Sequence, residues 1–249
     1  MSDFWTAEQA QDDDPFDPVR FSSGAQKRTT LIFLLDTSGS MNGPEGAKPP
    51  RPIDELNDAM KEWAAHLNSS QDLRYRAELA VISFGAGGVR VHKAADGSTF
   101  SPAATFIPPD LYAGGVTPMF EAIRTAIDLS ERRKGELDDL GIQRFRPLIF
   151  MVTDAVPTDD SGYQLLKDDL QGMAAQITAL QEKRKLAFFA VGVSTADQEF
   201  LATLAPDAHW QIAHSDIAAF LIEASNSAAD DDDPITAAKK RIQALGKKA

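Results

Sequence analysis

Five uninterrupted apolar residues, Leu31–Leu35, end abruptly at Asp36. A run without polar alternation marks a strand covered on both faces. The same form returns at Leu148–Val152 and Leu186–Val191. Ala77–Phe84 is also strand-like, and Val89–His92 follows the turn Gly85–Gly88 as a short antiparallel partner. Between these runs the apolar spacing becomes helical. Ile53, Leu56, Met60, Trp63 and Leu67 follow Pro52 at such a spacing. Pro118 opens a helix to about Arg133, and further helices are predicted over Tyr163–Lys183, Asp197–Leu204 and Ile217–Ser225. Trp210–Ala213 reads as a weaker last strand. The alternation predicts a doubly wound α/β fold: a mostly parallel central sheet, one antiparallel edge strand, and helices on both faces.

The two ends do not share this pattern. Residues 1–28 are polar and acidic, with Asp12, Asp13, Asp14 and Asp17 set among Pro15 and Pro18. An arm is expected, which Phe4, Trp5 and Phe16 equip to strap onto the body. Residues 230–249 begin with Asp230–Asp233 and Pro234 and then turn basic at Lys239, Lys240, Arg241, Lys247 and Lys248. An acidic-then-basic solvated tail is expected there. Its thin apolar stripe, Ile235, Ile242 and Leu245, leaves a short partner-binding helix as the sharper alternative. One domain is therefore expected over 29–229.

Composition narrows the function. The chain has no cysteine, which removes disulfide frameworks, thiolate nucleophiles and cysteine metal sites. Its formal net charge of −12 opposes binding to nucleic-acid phosphate. The same charge is compatible with divalent cations or basic partners. No apolar run approaches the roughly 20 residues that span a bilayer. The acidic start lacks the basic and apolar regions of a secretory signal, so the expectation is a cytoplasmic protein without membrane contact.

In an open α/β sheet, ligands bind outside the carboxyl ends of the parallel strands. Three segments fall there: Asp36-Thr37-Ser38-Gly39-Ser40, Gly114-Gly115-Val116-Thr117-Pro118 and Thr153-Asp154-Ala155-Val156-Pro157-Thr158-Asp159. They offer carboxylates and hydroxyls, hard oxygen donors suited to Mg²⁺ or Ca²⁺. The stretch "DTSGSM", Thr117 after paired glycines, and Asp154 within "VTDAVPTD" resemble the metal-ion-dependent adhesion site of von Willebrand factor type A domains. Within that family, "AGGVTPMFEAI", "RPLIFMVTDAVPTD" and "FFAVGVSTADQEFLATLA" are most similar to bacterial cytoplasmic members of the tellurium-resistance type.

The resemblance implies a metal set of Asp36, Ser38, Ser40, Thr117 and Asp154. Ser38, Ser40 and Thr117 would meet the cation through hydroxyls, and Asp36 and Asp154 directly or through water. Mg²⁺ is the implied ion, with Mn²⁺ or Ca²⁺ as substitutes. Neutral donors leave it Lewis acidity for one further ligand, an Asp or Glu carboxylate from a protein partner. The implied activity is non-catalytic binding, in a bacterial stress-response or defence assembly. Two departures stand out: Ala155 where the family usually has glycine, and a proline-rich link, Asn42–Arg51, before the first helix.

Rival readings remain. Asp and Ser are favoured as turn and cap residues, so one such loop alone is an ordinary turn. A scaffold with a vestigial metal site is the nearest alternative. A Mg²⁺-dependent phosphohydrolase using Asp36 as nucleophile lacks the second acid such chemistry wants two residues on, where Ser38 stands. His66, His92, His209 and His214 are scattered without metal-ligand spacing.

Overall fold

The computed structural model describes residues 27–154, 157–158, 162–165, 167–193, 196–230 and 233–246. The expected amino-terminal arm, Ala155, Asp159 and Asp160 lie outside these, except for Lys27 and Arg28. β1 (Thr29–Thr37) is central, flanked in parallel by β2 (Ala77–Gly85) and β5 (Leu148–Thr153). β6 (Ala187–Val193) and β7 (His209–Ile212) continue the parallel sheet, whose order is β3-β2-β1-β5-β6-β7. The expected antiparallel partner is β3 (Gly88–Val91), and a two-residue strand β4 (Ser101–Pro102) pairs with β2 in the same sense.

Alternate residues of β1 explain its unbroken apolar run. Leu31, Phe33 and Leu35 enter one core and Ile32 and Leu34 the other, all of them inaccessible to solvent. The first core lies under α1 (Pro52–Ser69) and α6 (Ile217–Asn226). Its centre is a row of rings across the sheet: Phe33 stacks on Phe150 at 5.3 Å and Phe150 on Phe189 at 4.7 Å. Trp63 of α1 stands edge-on to Phe33 at 4.5 Å and donates its indole N–H to Ser225 Oγ of α6 at 2.8 Å. The short α2 (Gln71–Arg74) follows α1 directly. The second core lies under α3 (Met119–Asp139), α4 (Lys167–Glu182) and α5 (Gln198–Leu204).

Two expectations are corrected. The helix expected from Tyr163 begins at Lys167: Gly162 has a φ of 85° and Thr158 bridges Gln164, which keeps Tyr163 in the preceding loop. Residues 234–246, expected within a solvated tail with a short helix as the alternative, form helix α7 (Pro234–Gly246). Its stripe is narrow but sufficient, since Ala238 and Ile242 are fully buried in the first core and Ile235 and Leu245 pack against it. Asp233 starts the helix by accepting from the backbone N–H of Ile235 at 3.1 Å and Thr236 at 3.2 Å. Arg241 ties it to Glu223 of α6 at 2.8 Å.

Candidate metal centre

The ends of β1 and β5 are in register, Leu35 opposite Val152, so the next residues, Asp36 and Thr153, stand side by side. Thr153 donates its hydroxyl to Asp36 Oδ2 at 2.5 Å, and the Ser38 amide donates to Asp36 Oδ1 at 2.8 Å. The Ser38 and Ser40 hydroxyls are 3.0 Å apart, and Ser40 donates to Asp154 Oδ1 at 2.8 Å. Four of the five expected residues are thus joined in one chain: Asp36, Ser38, Ser40 and Asp154. Thr117 is buried and held through its backbone, and its contacts run to Thr158 rather than to these four. Its amide donates to Thr158 Oγ1 at 2.8 Å, and its carbonyl accepts from the Thr158 amide at 3.0 Å.

Glycines let the first two of the three loops touch. The Gly39 amide donates to the Gly115 carbonyl at 3.1 Å, and the Gly114 amide to the Thr37 carbonyl at 2.9 Å. Gly85, at the end of β2, presses on the same turn. A Cβ there would lie 2.2 Å from the Thr37 carbonyl carbon, and its φ of 145° already disfavours a side chain. Gly115, with a φ of 71°, would place a Cβ 2.8 Å from the Gly85 carbonyl oxygen. Sequence reasoning placed Gly85 only in a hairpin turn and gave Thr153 and Thr158 no part in the site. A hydroxyl immediately before Asp154 was the available signal for Thr153, whereas the approach of Gly85 belongs to strand neighbours 48 residues apart (Thr37 and Gly85). The Asn42–Arg51 link borders the site, since Asn42 Nδ2 donates to the Ala113 carbonyl at 3.3 Å.

Electrostatically the centre is one-sided. Asp36 is 1% exposed, and among the described residues no basic side chain pairs with it. Burial, helped by the negative charge of Asp154, pushes its carboxyl up to about 6; the hydrogen bonds from Ser38 and Thr153 pull the other way without cancelling this. Among the described residues no group of three or more His, Asp or Glu side chains is placed to hold a metal ion. A cation here would therefore rely on hydroxyls beside two carboxylates. The donor set fits a small hard ion. Neighbouring vertices of an octahedron with bonds of about 2.1 Å are about 3.0 Å apart, the spacing of the two serine hydroxyls. The histidines stand elsewhere, with His66 on Asn226, His92 on Ser83 and His209 on the Ala205 carbonyl.

Residues 30–232 match the family model described as von Willebrand factor type A domain, and the chain belongs to that family. No curated protein sequence matches it. Among solved structures, its fold is similar to the pilus adhesin SpaC from Lactobacillus rhamnosus GG. The TM-score is 0.58 and the identity 14%, over 82% of this chain and 31% of that one. It is also similar to proximal thread matrix protein 1 from the mussel byssus, with a TM-score of 0.52 and 16% identity over 82% of this chain and 47% of that one. A third similar structure is the vWF domain of the type V pili tip protein Mfa5 from Porphyromonas gingivalis. Its TM-score is 0.51 and its identity 8%, over 82% of this chain and 95% of that one. The chain thus spans less than half the length of the first two. No helix among the described residues is long and apolar enough to cross a membrane.

Proposed function

We propose that the domain is a divalent-metal-dependent protein-interaction module without catalytic activity. Mg²⁺ would be held by Asp36, Ser38, Ser40, Thr117 and Asp154, and a partner's Asp or Glu carboxylate would complete its coordination. The observation that carries this reading is the buried, uncompensated Asp36 carboxylate, linked through the Ser38 amide and the Ser38 and Ser40 hydroxyls to a second carboxylate at a shared loop junction. A buried carboxylate needs an opposite charge or a proton, and a bound cation supplies the charge. Few negative donors face the ion, so a carboxylate from outside is a favourable further ligand.

Catalysis by Asp36 is disfavoured by the same contacts. Both carboxylate oxygens accept hydrogen bonds, the side chain is buried, and Ser38 occupies the place of a general acid. The resemblance to tellurium-resistance members supports a cytoplasmic bacterial stress or defence assembly as the setting. The pilus adhesin among the similar structures accords with a binding role.

Thermal melting against Mg²⁺ tests the centre. Millimolar Mg²⁺ raises the midpoint of the parent protein by mass action, and Asp36→Asn removes the rise while the metal-free protein stays folded. A parent midpoint indifferent to Mg²⁺ and Mn²⁺ sinks the reading and leaves a scaffold with a vestigial site.

A further inference from the structure

Four large apolar or aromatic side chains are strongly exposed among the described residues: Ile107, Leu140, Tyr112 and Tyr163. The two tyrosines, 75% and 74% exposed, belong to loops that build the metal centre. Tyr112 sits on anchored backbone. Before it, Asn57 brackets Leu111, donating to its carbonyl at 2.8 Å and accepting from its amide at 2.9 Å. After it, Gly114 is bonded to the Thr37 carbonyl. Tyr163 lies between Gly162 and Gln164. A Cβ on Gly162 would sit 3.3 Å from Val116 Cγ1, so this loop packs beside the residue preceding Thr117. Gln164 bridges back to Thr158, and the Leu165 amide donates to the Pro157 carbonyl at 3.1 Å.

Single exposed apolar residues are ordinary. Two exposed tyrosines on tethered loops that meet the same site are placed as interface anchors are. An aromatic ring brings large contact area for few rotatable bonds, and tyrosine is enriched among the residues that dominate binding. On the Tyr163 side, past Thr158, a groove of about 530 Å³ opens between α3 and α4. It is lined by Glu121, Asp168 and Asp169 against one cation, Arg124, over the apolar surface of Met173 and Leu165. A chain of net charge −12 repels a uniformly acidic partner, so a carboxylate brought to the centre needs basic neighbours.

Resting on the metal-mediated reading above, we infer that Tyr112 and Tyr163 anchor a protein partner whose metal-directed Asp or Glu lies on a loop beside a Lys or Arg, and that this basic side chain enters the α3–α4 groove. The tyrosines give affinity by covering the partner loop beside the carboxylate. The groove selects acidic-plus-basic loops over acidic ones.

The probe is a displayed library of random disulfide-closed peptide loops, bound in Mg²⁺ and eluted with EDTA. Enriched loops carry an Asp or Glu with a Lys or Arg nearby. A synthetic enriched loop binds Tyr112→Ala and Tyr163→Ala at least about tenfold more weakly than the parent. The double variant Asp168→Asn with Asp169→Asn no longer prefers that loop over its version with the basic residue replaced by alanine. All of these variants keep the parent's Mg²⁺-induced rise in melting midpoint, which separates the surface from the centre. Loops that bind the tyrosine variants as well as the parent, or that carry no basic residue, overturn the inference. So does a library yielding nothing EDTA-elutable from a protein that Mg²⁺ stabilises. A protein that Mg²⁺ fails to stabilise removes the metal-mediated reading, and the inference with it.

Discussion

Two buried carboxylates on neighbouring strands meet opposite fates. Glu78 lies near the amino end of β2 and Asp36 near the carboxyl end of β1, each 1% exposed. Glu78 accepts from Arg133 Nε at 2.9 Å and Nη2 at 2.6 Å and from the Thr30 hydroxyl at 2.7 Å, with Arg28 Nη1 3.5 Å away. Its charge is neutralised by the protein itself, and in return it holds the Arg133 guanidinium above its ordinary pKa. Asp36 receives neutral donors among the described residues, the Ser38 amide and the Thr153 hydroxyl, faces Asp154, and its carboxyl rises to about 6. A buried acid with a permanent cation fastens structure together. On the proposed reading, a buried acid without one, at the loop end of a parallel sheet, takes its charge partner from solution.

The contrast breaks most visibly at Glu78. Glu78→Gln removes the buried carboxylate that Arg133 and Arg28 share and lowers urea-unfolding stability by about 3 kcal/mol, while the Mg²⁺-induced midpoint shift survives. Loss of that shift in a folded Glu78→Gln protein would show the two ends to be coupled. Gly85→Ala comes next. Its Cβ collides with the Thr37 backbone, costing about 1–3 kcal/mol and displacing the turn that presents Ser38, so stability and Mg²⁺ response fall together. An intact Mg²⁺ response in that variant would mean the turn does not depend on β2. Thr153→Val is the mildest. It keeps the shape and removes one donor to Asp36, so metal-free stability drops by about 1 kcal/mol and Mg²⁺ affinity by roughly tenfold. Calorimetric titration showing unchanged affinity would leave Thr153 a packing residue only.

The parallel strands were legible because both faces of the sheet are covered, which prints a continuous apolar run such as Leu31–Leu35. The α7 helix was legible only as an alternative, because four charges before it, a proline at its first position and basic residues along it outweigh a narrow stripe in a local reading. Only the first core decides that Ala238 and Ile242 are buried. Tyr163 was drawn into a helix by its neighbours' spacing, whereas the Thr158–Gln164 bridge holds it in a loop.

The sequence by itself determined the order of elements, and it placed Asp36, Ser38, Ser40, Thr117 and Asp154 at loop ends, because strand period and carboxyl-end position are local properties. Tertiary structure decided what those residues mean to one another. Strand register puts Thr153 against Asp36, and Gly85 presses the turn into shape from the next strand. The arginines that neutralise Glu78 at one end of the sheet have no counterpart around Asp36 among the described residues. Charge compensation depends on distances through space, and those exist only once the chain has folded.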